Sequence, residues 1–171
     1  GAFVEWHGLD FLIDSVHDLL ESLDVVLFFI GDGPVRKKIE QKANAHGVGE
    51  RVVFTGMVNF EDVPYYLDLL DFVVIPDSNI HGSPMKLFES MAMAKPVIVP
   101  DYPPLAEVIT NGSEGIVFSP GDKAELRKAL VELVNNPDKA RQMGKAGEKL
   151  VMKSHTWGAN VKKLLFLLAK P

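Results

Sequence analysis

The feature that most constrains the fold is an alternation of short apolar runs with amphipathic segments. The runs are almost wholly apolar, as is typical of strands buried on both faces: DVVLFFIG (24–31), RVVFTG (51–56), DFVVIP (71–76), PVIVP (96–100) and EGIVFSP (114–120). Segments with helical spacing lie between them. Strands that alternate with helices indicate a parallel sheet covered on both faces. The sequence therefore predicts an α/β fold with a Rossmann-like, doubly wound parallel sheet.

The predicted helices cover most of the remaining sequence. They read LDFLIDSVHDLLESL (9–23), PVRKKIEQKANAHG (34–47), EDVPYYLDLL (61–70), the segment after Ser83, LAEVITNG (105–112), DKAELRKALVELVNN (122–136), PDKARQMGKAGEKLVMKSH (137–155) and WGANVKKLLFLLAK (157–170). No internal repeat or low-complexity linker divides them. We therefore expect residues 1–171 to form a single domain that ends in a helix over 156–171.

Composition excludes several classes of function. The 171 residues carry a net charge of −5, so no basic face for nucleic acid is predicted. There is no cysteine, and neither an Asp-x-Asp motif nor suitably spaced histidines occur, so we expect no metal site. No apolar run could span a membrane and no signal-peptide layout is present, so we expect a location in the cytoplasm or on its side of the membrane.

Ligands of such sheets bind outside the carboxyl ends of the strands, so the residues that follow each strand are the first candidates. GDGP (31–34) follows the first run and leads into a helix whose N-terminus could attract an anion. A tight turn is the alternative interpretation, since Arg36 stands where a dinucleotide-binding motif would have its third glycine. Gly56 follows the second run and would let a flat group approach the backbone.

The stretch HGSPMKLFESMAMAKPVIVP (81–100) concentrates polar groups around the start of one helix. Ser83 could cap this helix, with Pro84 at its first position, and Gly82 adds backbone freedom. Lys86 and Glu89 are three residues apart on its polar face. They could form a surface ion pair of a few tenths of a kcal/mol. Alternatively, the cation could lie near a phosphate and the carboxylate near sugar hydroxyls.

The order of several blocks resembles the C-terminal, donor-binding half of a retaining GT-B nucleotide-sugar glycosyltransferase of the group 1 family. The blocks are GAFVEWHGLDFLIDSV, FFIGDGP, RVVFTGMV, LLDFVVIPDSN, GSPMKLFESMAMAKPVIVPDYPPLAEVI, NGSEGIVFSPGDKAELRKAL and SHTWGANVKKLL. Each block is modest alone, but together they are specific and cover nearly the whole chain. The resemblance implies one half of a GT-B fold, with a nucleoside-diphosphate sugar as donor substrate and no required cofactor or metal.

The resemblance also implies roles for individual residues. The expected catalytic residues are His81, Lys86 and Glu89, and Glu89 would hold the ribose. The expected donor-binding residues are His7 and Gly8 in the first loop, Gly31, Gly56, Met57 and Val58 around the base, and Gly82, Ser83, Pro84 and Met85 around the diphosphate. His81 departs from the family, because a glutamate that touches the donor sugar is usual there. Ala2 and His7 stand where many members have an arginine and a lysine.

In the whole enzyme, hexosyltransferase-like by resemblance, an N-terminal half absent from this chain would bind the acceptor and mediate any association with a membrane surface. The 171-residue chain alone would then be inactive, and its final helix would pack on that half. Five consecutive apolar residues (164–168) lead us to expect that, without this half, the chain either forms a homodimer through the final helix or leaves that helix loosely ordered. The alternatives are a non-catalytic nucleotide-sugar binding module, a subunit of a split transferase and a sugar-nucleotide epimerase. A Rossmann oxidoreductase is disfavoured by Arg36.

Overall fold

A computed structural model describes residues 1–78 and 85–169 of the chain. Its helices are α1 (Leu9–Ser22), α2 (Arg36–Ala45), α3 (Val63–Asp68), α4 (Met85–Ala92), α5 (Pro103–Ala106), α6 (Lys123–Asn135), α7 (Pro137–Ser154) and α8 (Trp157–Leu168). Its strands are β1 (Leu27–Phe29), β2 (Val52–Phe54), β3 (Val73–Val74), β4 (Val97–Pro100) and β5 (Gly115–Phe118). Short 3-10 turns at Glu5–His7, Gly49–Arg51 and Phe60–Asp62 complete the list.

All strand pairs are parallel, which confirms the predicted α/β class. Within the described residues the strands form two pieces, one with the order β1-β2 and one with the order β3-β4-β5. In the first piece Leu27 is aligned with Val52, and in the second Val97 is aligned with both Val73 and Gly115. No described strand joins β1 to β3.

Two apolar clusters hold the helices on the sheet. The larger one packs α1, α2 and α6 together and includes Ile13, Val16, Leu20, Ile39, Ile98, Leu126 and Leu130. The smaller one lies beneath α4 and α7 and includes Ile75, Leu87, Met91, Val99, Leu105 and Val151. Full burial of one such side chain contributes about 1.5–3 kcal/mol. The second cluster holds α4 through Leu87 and Met91, and the opposite face of this helix carries Lys86 and Glu89.

Helices α4 and α7 approach each other closely through glycine. A Cβ built on Gly144 would lie within van der Waals overlap of the Ala94 carbonyl oxygen, just after α4, and one on Gly147 would lie 3.5 Å from Met91. The rings of Phe88 and His155, at the far end of α7, are 5.3 Å apart. The backbone of α7 therefore rests on α4 along its length.

The helix predicted over 105–112 is shorter and begins earlier than expected. Helix α5 begins at Pro103, where a proline suits the first turn, and ends at Ala106. Side chains then replace helical hydrogen bonds: the Glu114 carboxylate accepts from the Thr110 amide at 2.9 Å, and Asn111 accepts from Val117 at 3.0 Å. Such local side-chain bonds compete with a helix, which is why this one stops.

Helix α8 is present as predicted, and it lies on the surface. The Thr156 hydroxyl caps it by accepting from the Ala159 amide at 3.2 Å. None of its residues is buried, and its large apolar side chains are exposed: Trp157, Val161, Leu164, Leu165, Phe166, Leu167 and Leu168. Neither α8 nor any other helix of residues 1–78 and 85–169 is long and apolar enough to cross a membrane.

Candidate functional site

The first loop folds against the end of β3. The Phe3 amide donates to the Asp32 carbonyl oxygen at 2.8 Å, and a 3-10 turn then leads to Gly8. Gly8 has a φ of +63°, and a Cβ there would lie 2.6 Å from the Cβ of Asp77. Both the left-handed backbone and the close approach require glycine. Gly8 therefore brings the loop that carries His7 to the carboxyl end of β3.

His7 is held by its own loop. Its Nδ1 lies 2.7 Å from the Ala2 carbonyl oxygen, so this nitrogen carries the proton and Nε2 is the acceptor in the neutral ring. Burial lowers the pKa of His7, and the nearby positive charge of Lys86 lowers it further. A neutral His7 offers a hydrogen bond rather than a charge, and it lies close enough to Lys86 to respond to its field.

Lys86 is a half-buried cation without a counter-ion among the described residues. Burial lowers the pKa of its ammonium. Neither Lys86 nor Glu89, one turn further along α4, forms a hydrogen bond or ion pair through its side chain within residues 1–78 and 85–169. The surface ion pair that the spacing allowed is therefore not formed. A positive charge that is partly removed from water and unpaired is costly, and a bound anion would offset this cost.

Asp77 and Tyr102 join the site, although the sequence analysis did not single them out. The Tyr102 hydroxyl donates to Asp77 Oδ1 at 3.0 Å, and the Ser78 amide donates to the same oxygen at 2.7 Å. Burial raises the pKa of Tyr102, and the Asp77 carboxylate raises it further. The available signal was position, because Asp77 comes two residues after Ile75 at the carboxyl end of a strand.

The loops after β1 and β2 also meet. Gly31 and Gly56 form an isolated bridge, and the Gly31 amide donates to the Thr55 hydroxyl at 3.1 Å. The two glycines predicted near the base are thus brought together. Met57 beside them is 81% exposed and Met85 at the start of α4 is 60% exposed, so both side chains are accessible to a ligand.

Arg36 is held by two carboxylates and an aromatic ring. Its guanidinium donates to Asp32 at 2.9 Å and to Glu40 at 2.7 Å, and it lies over the Phe54 ring at 5.6 Å from the centroid. The residue at the place of a third glycine therefore ties the β1 loop to α2 and β2. This agrees with the tight-turn interpretation of GDGP (31–34).

Four predicted site residues, His81, Gly82, Ser83 and Pro84, lie outside the described residues. His7, Gly8 and Lys86 are brought together, with Glu89 one turn along α4. Gly1 contacts Gly31. No group of three or more His, Asp or Glu side chains that could hold a metal occurs in the part of the chain that the structure describes.

Comparison with known proteins identifies the family of the chain and its fold. An uncharacterized glycosyltransferase from Methanocaldococcus jannaschii is 31% identical over 157 residues, which cover 92% of this chain and 43% of that relative. The C-terminal domain of a glycosyl transferase group 1 family protein from Francisella tularensis superposes with a TM-score of 0.82 at 21% identity, over 92% of this chain and 84% of that one. The chain thus spans less than half the length of the first relative.

Anabaena HepE, solved in complex with UDP, has a similar fold, with a TM-score of 0.87 at 19% identity over 99% of this chain and 47% of that one. At these identities the structures establish the fold, and they confirm the predicted half of a GT-B fold. The family model described as "Glycosyl transferases group 1" matches residues 1–150, most of the 171-residue chain. The chain therefore belongs to the glycosyl transferases group 1 family.

Proposed function

We propose that this chain is the donor-binding half of a retaining, hexosyltransferase-like enzyme and that it binds a nucleoside-diphosphate sugar at the carboxyl ends of its strands. The observation that carries this proposal is the half-buried, unpaired ammonium of Lys86 beside His7. A diphosphate is the anion that the family membership favours. HepE, which shares the fold, was solved in complex with UDP, and this supports a nucleotide as the ligand.

In this proposal Lys86 offsets the charge of the diphosphate, which grows as the glycosyl bond to the phosphate oxygen breaks. Stabilising a leaving group in a site partly shielded from water is a large contribution to catalysis. Glu89 would accept hydrogen bonds from the ribose hydroxyls, and His7 Nε2 would accept one from the donor. His81 would face the sugar, and the backbone of Gly82, Ser83, Pro84 and Met85 would line the phosphates.

The base would lie beside Gly31, Gly56, Met57 and Val58, where backbone and the exposed Met57 side chain could cover its flat face. The acceptor would be bound by a second half of the whole protein. Because positioning both reactants supplies much of the rate, we expect this chain alone to bind the donor and to turn it over poorly.

The proposal predicts that the chain binds uridine, guanosine or adenosine diphosphate without added metal. A ligand at about 100 times its Kd should raise the free energy of unfolding by roughly 2.7 kcal/mol. Titration calorimetry with each diphosphate, with magnesium and with a chelator, measures this directly. Absence of heat with every diphosphate under both conditions would rule out a donor site in this chain.

Replacing Glu89 distinguishes donor binding from general anion binding. Glu89→Ala should weaken binding of the nucleotide by about 1.5–3 kcal/mol, the usual worth of a hydrogen bond to a charged group, and should leave the affinity for inorganic diphosphate unchanged. Glu148→Ala, at an exposed glutamate on α7, is the matched control. Equal nucleotide affinity in wild type and Glu89→Ala would remove Glu89 from the site.

A further inference from the structure

Asp77 connects three segments of the candidate site. It follows β3, and its Oδ1 accepts hydrogen bonds from the Tyr102 hydroxyl at 3.0 Å and from the Ser78 amide at 2.7 Å. The first loop rests on the same residue, because a Cβ built on Gly8 would lie 2.6 Å from the Asp77 Cβ. Asp77 thus joins the carboxyl ends of β3 and β4 to the loop that carries His7.

Tyr102 is the anchored end of this connection. Its amide donates to the Pro100 carbonyl oxygen at 2.8 Å, and its own carbonyl oxygen accepts from the Leu105 and Ala106 amides, both at 2.9 Å, in the first turn of α5. Its side chain packs against the smaller apolar cluster. The hydroxyl is therefore held at a fixed place relative to β4, and it holds the Asp77 carboxylate in turn.

The Asp77 carboxylate has no cationic partner within residues 1–78 and 85–169. The hydrogen bonds described for it come from an uncharged hydroxyl and a backbone amide. Its charge nevertheless acts on the site. Burial and the charge of Lys86 lower the pKa of His7, whereas the Ala2 carbonyl oxygen and the charge of Asp77 raise it. Asp77 therefore influences His7 through its place and its charge, without an ion pair to Lys86.

We propose that Tyr102 and Asp77 are positioning residues of the candidate site: the Tyr102 hydroxyl fixes Asp77, and Asp77 supports the first loop so that His7 lies beside Lys86. Neither side chain is expected to touch the ligand. The inference rests on the proposed function where it concerns nucleotide binding, and its effect on His7 needs no ligand.

Two nearly isosteric substitutions separate the hydrogen bond from the charge. Tyr102→Phe keeps the ring and removes the donor, whereas Asp77→Asn keeps an oxygen acceptor for the Tyr102 hydroxyl and removes the charge. Titration calorimetry with UDP and with inorganic diphosphate measures the effect on binding. Tyr102→Phe should lower the affinity for both roughly 3- to 10-fold, because a hydrogen bond that holds the site together is lost.

Asp77→Asn should bind both anions at least as tightly as wild type, because it keeps the hydrogen bond and removes a negative charge from the neighbourhood of the anion. Tyr65→Phe is the matched control for the loss of a hydroxyl. Tyr65 is an exposed tyrosine on α3, and this variant should leave both affinities unchanged.

NMR titration of the His7 imidazole in the ligand-free chain gives a readout that a purely structural role would not change. Asp77→Asn should lower the pKa of His7, because the charge that raises it is lost. Tyr102→Phe should raise the pKa of His7. The carboxylate then no longer shares its charge with the hydroxyl, and a less firmly held loop leaves the imidazole more exposed to water.

The outcomes separate this inference from the proposed function. An unchanged affinity or an unchanged His7 pKa in Tyr102→Phe would refute the positioning role and leave donor binding intact. Equal losses of affinity in Tyr102→Phe and Asp77→Asn would refute it too, since the charge of Asp77 would then be the cause. If wild type binds diphosphate but not UDP, the proposed function is wrong and the diphosphate series still tests the positioning role. If wild type binds neither anion, both proposals are wrong.

Discussion

At the scale of single residues, we expect Lys86 to lower the stability of the folded chain and to contribute to binding of the proposed anion. Its ammonium is partly withdrawn from water, and no carboxylate among the described residues compensates. Burial places its pKa in the folded state below the value of 10.5 in an unfolded chain. Its charge therefore disfavours the folded state at neutral pH, and this penalty disappears only above about pH 10.5. A buried unpaired charge of this kind is expected where a ligand supplies the opposite charge.

We predict that Lys86→Met weakens binding of a nucleoside diphosphate by at least about tenfold, because a charge-assisted hydrogen bond worth about 1.5–3 kcal/mol is lost. The same variant should have an unchanged or higher Tm at pH 7, because methionine keeps most of the packing without the charge. Titration calorimetry and thermal unfolding measure the two effects on one preparation.

Lys149→Met is the matched control, since Lys149 is an exposed lysine on α7 with no role in the site. It should change neither affinity nor Tm. If Lys86→Met binds the diphosphate as wild type does, Lys86 is a lysine packed on the domain surface and the anion site lies elsewhere.

At the scale of elements, a pair of charged side chains joins α1 to α6. Arg127 donates to both carboxylate oxygens of Asp18, at 2.5 and 2.9 Å, and to the Ser15 carbonyl oxygen at 2.7 Å. The hydrogen bond from Arg127 lowers the pKa of Asp18 to about 2. Because the folded pKa is below the unfolded value of 3.8, the pair stabilises the fold above about pH 4, and this stabilisation is lost as the pH falls through 2.

We predict that Asp18→Asn lowers the free energy of unfolding by up to about 1 kcal/mol at pH 7, the upper range for a solvent-exposed ion pair. The difference from wild type should shrink between pH 4 and pH 2, as the wild-type carboxylate becomes protonated. Urea unfolding at several pH values measures it. Asp138→Asn is the control, because Asp138 and Arg141 are neighbours on one exposed helix face. A constant difference from pH 7 to pH 2 would show that the ion pair does not cause the loss.

The sequence predicts elements better where their ends carry local signals. Helix α2 occupies the predicted segment, with Pro34 before it and Gly47, at a φ of +74°, after it. Helix α5 was predicted less well, because Thr110 and Asn111 bond to groups that approach from β5. The division of the sheet into two pieces was not predictable from alternating apolar runs, since a run shows burial and not the identity of its neighbours.

Residues of the candidate site are likewise predictable where the signal is local in the sequence. Lys86 and Glu89 are predictable because both lie on one short helix, three residues apart. The approach of Gly8 to Asp77 and the hydrogen bond from Tyr102 to Asp77 join segments that are far apart in the chain. No local sequence pattern predicts such contacts.

At the scale of the whole molecule, α8 is a helix whose apolar side chains the rest of the described chain leaves exposed. Leu164 and Leu165 are 57% and 60% exposed, and Leu167 and Leu168 are 63% and 73% exposed. Burying one such side chain fully is worth about 1.5–3 kcal/mol, so two or three of them give a substantial drive to associate. A second half of the whole protein could cover them.

We predict that the 171-residue chain self-associates through α8 and that removing residues 160–171 makes it monomeric. Analytical ultracentrifugation of the two chains over a range of concentrations measures this. The double variant Leu164→Lys, Leu168→Lys keeps the helix and removes part of its apolar surface, and it should also be a monomer. This variant distinguishes an effect of the apolar surface from an effect of shortening the chain. A monomer for both chains, with slow hydrogen exchange in α8, would contradict the prediction.

The glycine contact between α7 and α4 has a mechanical consequence. No side chain separates the Gly144 backbone from the Ala94 carbonyl group, so the two helices are in close contact there. Because closely packed elements resist sliding, we expect α4 and α7 to move as one body. Helix α7 has 18 residues and is therefore a rod of about 27 Å, with α8 attached at its far end. We expect a torque applied to α8 by whatever covers it to rotate this rod and, with it, the helix that aims the Lys86 ammonium.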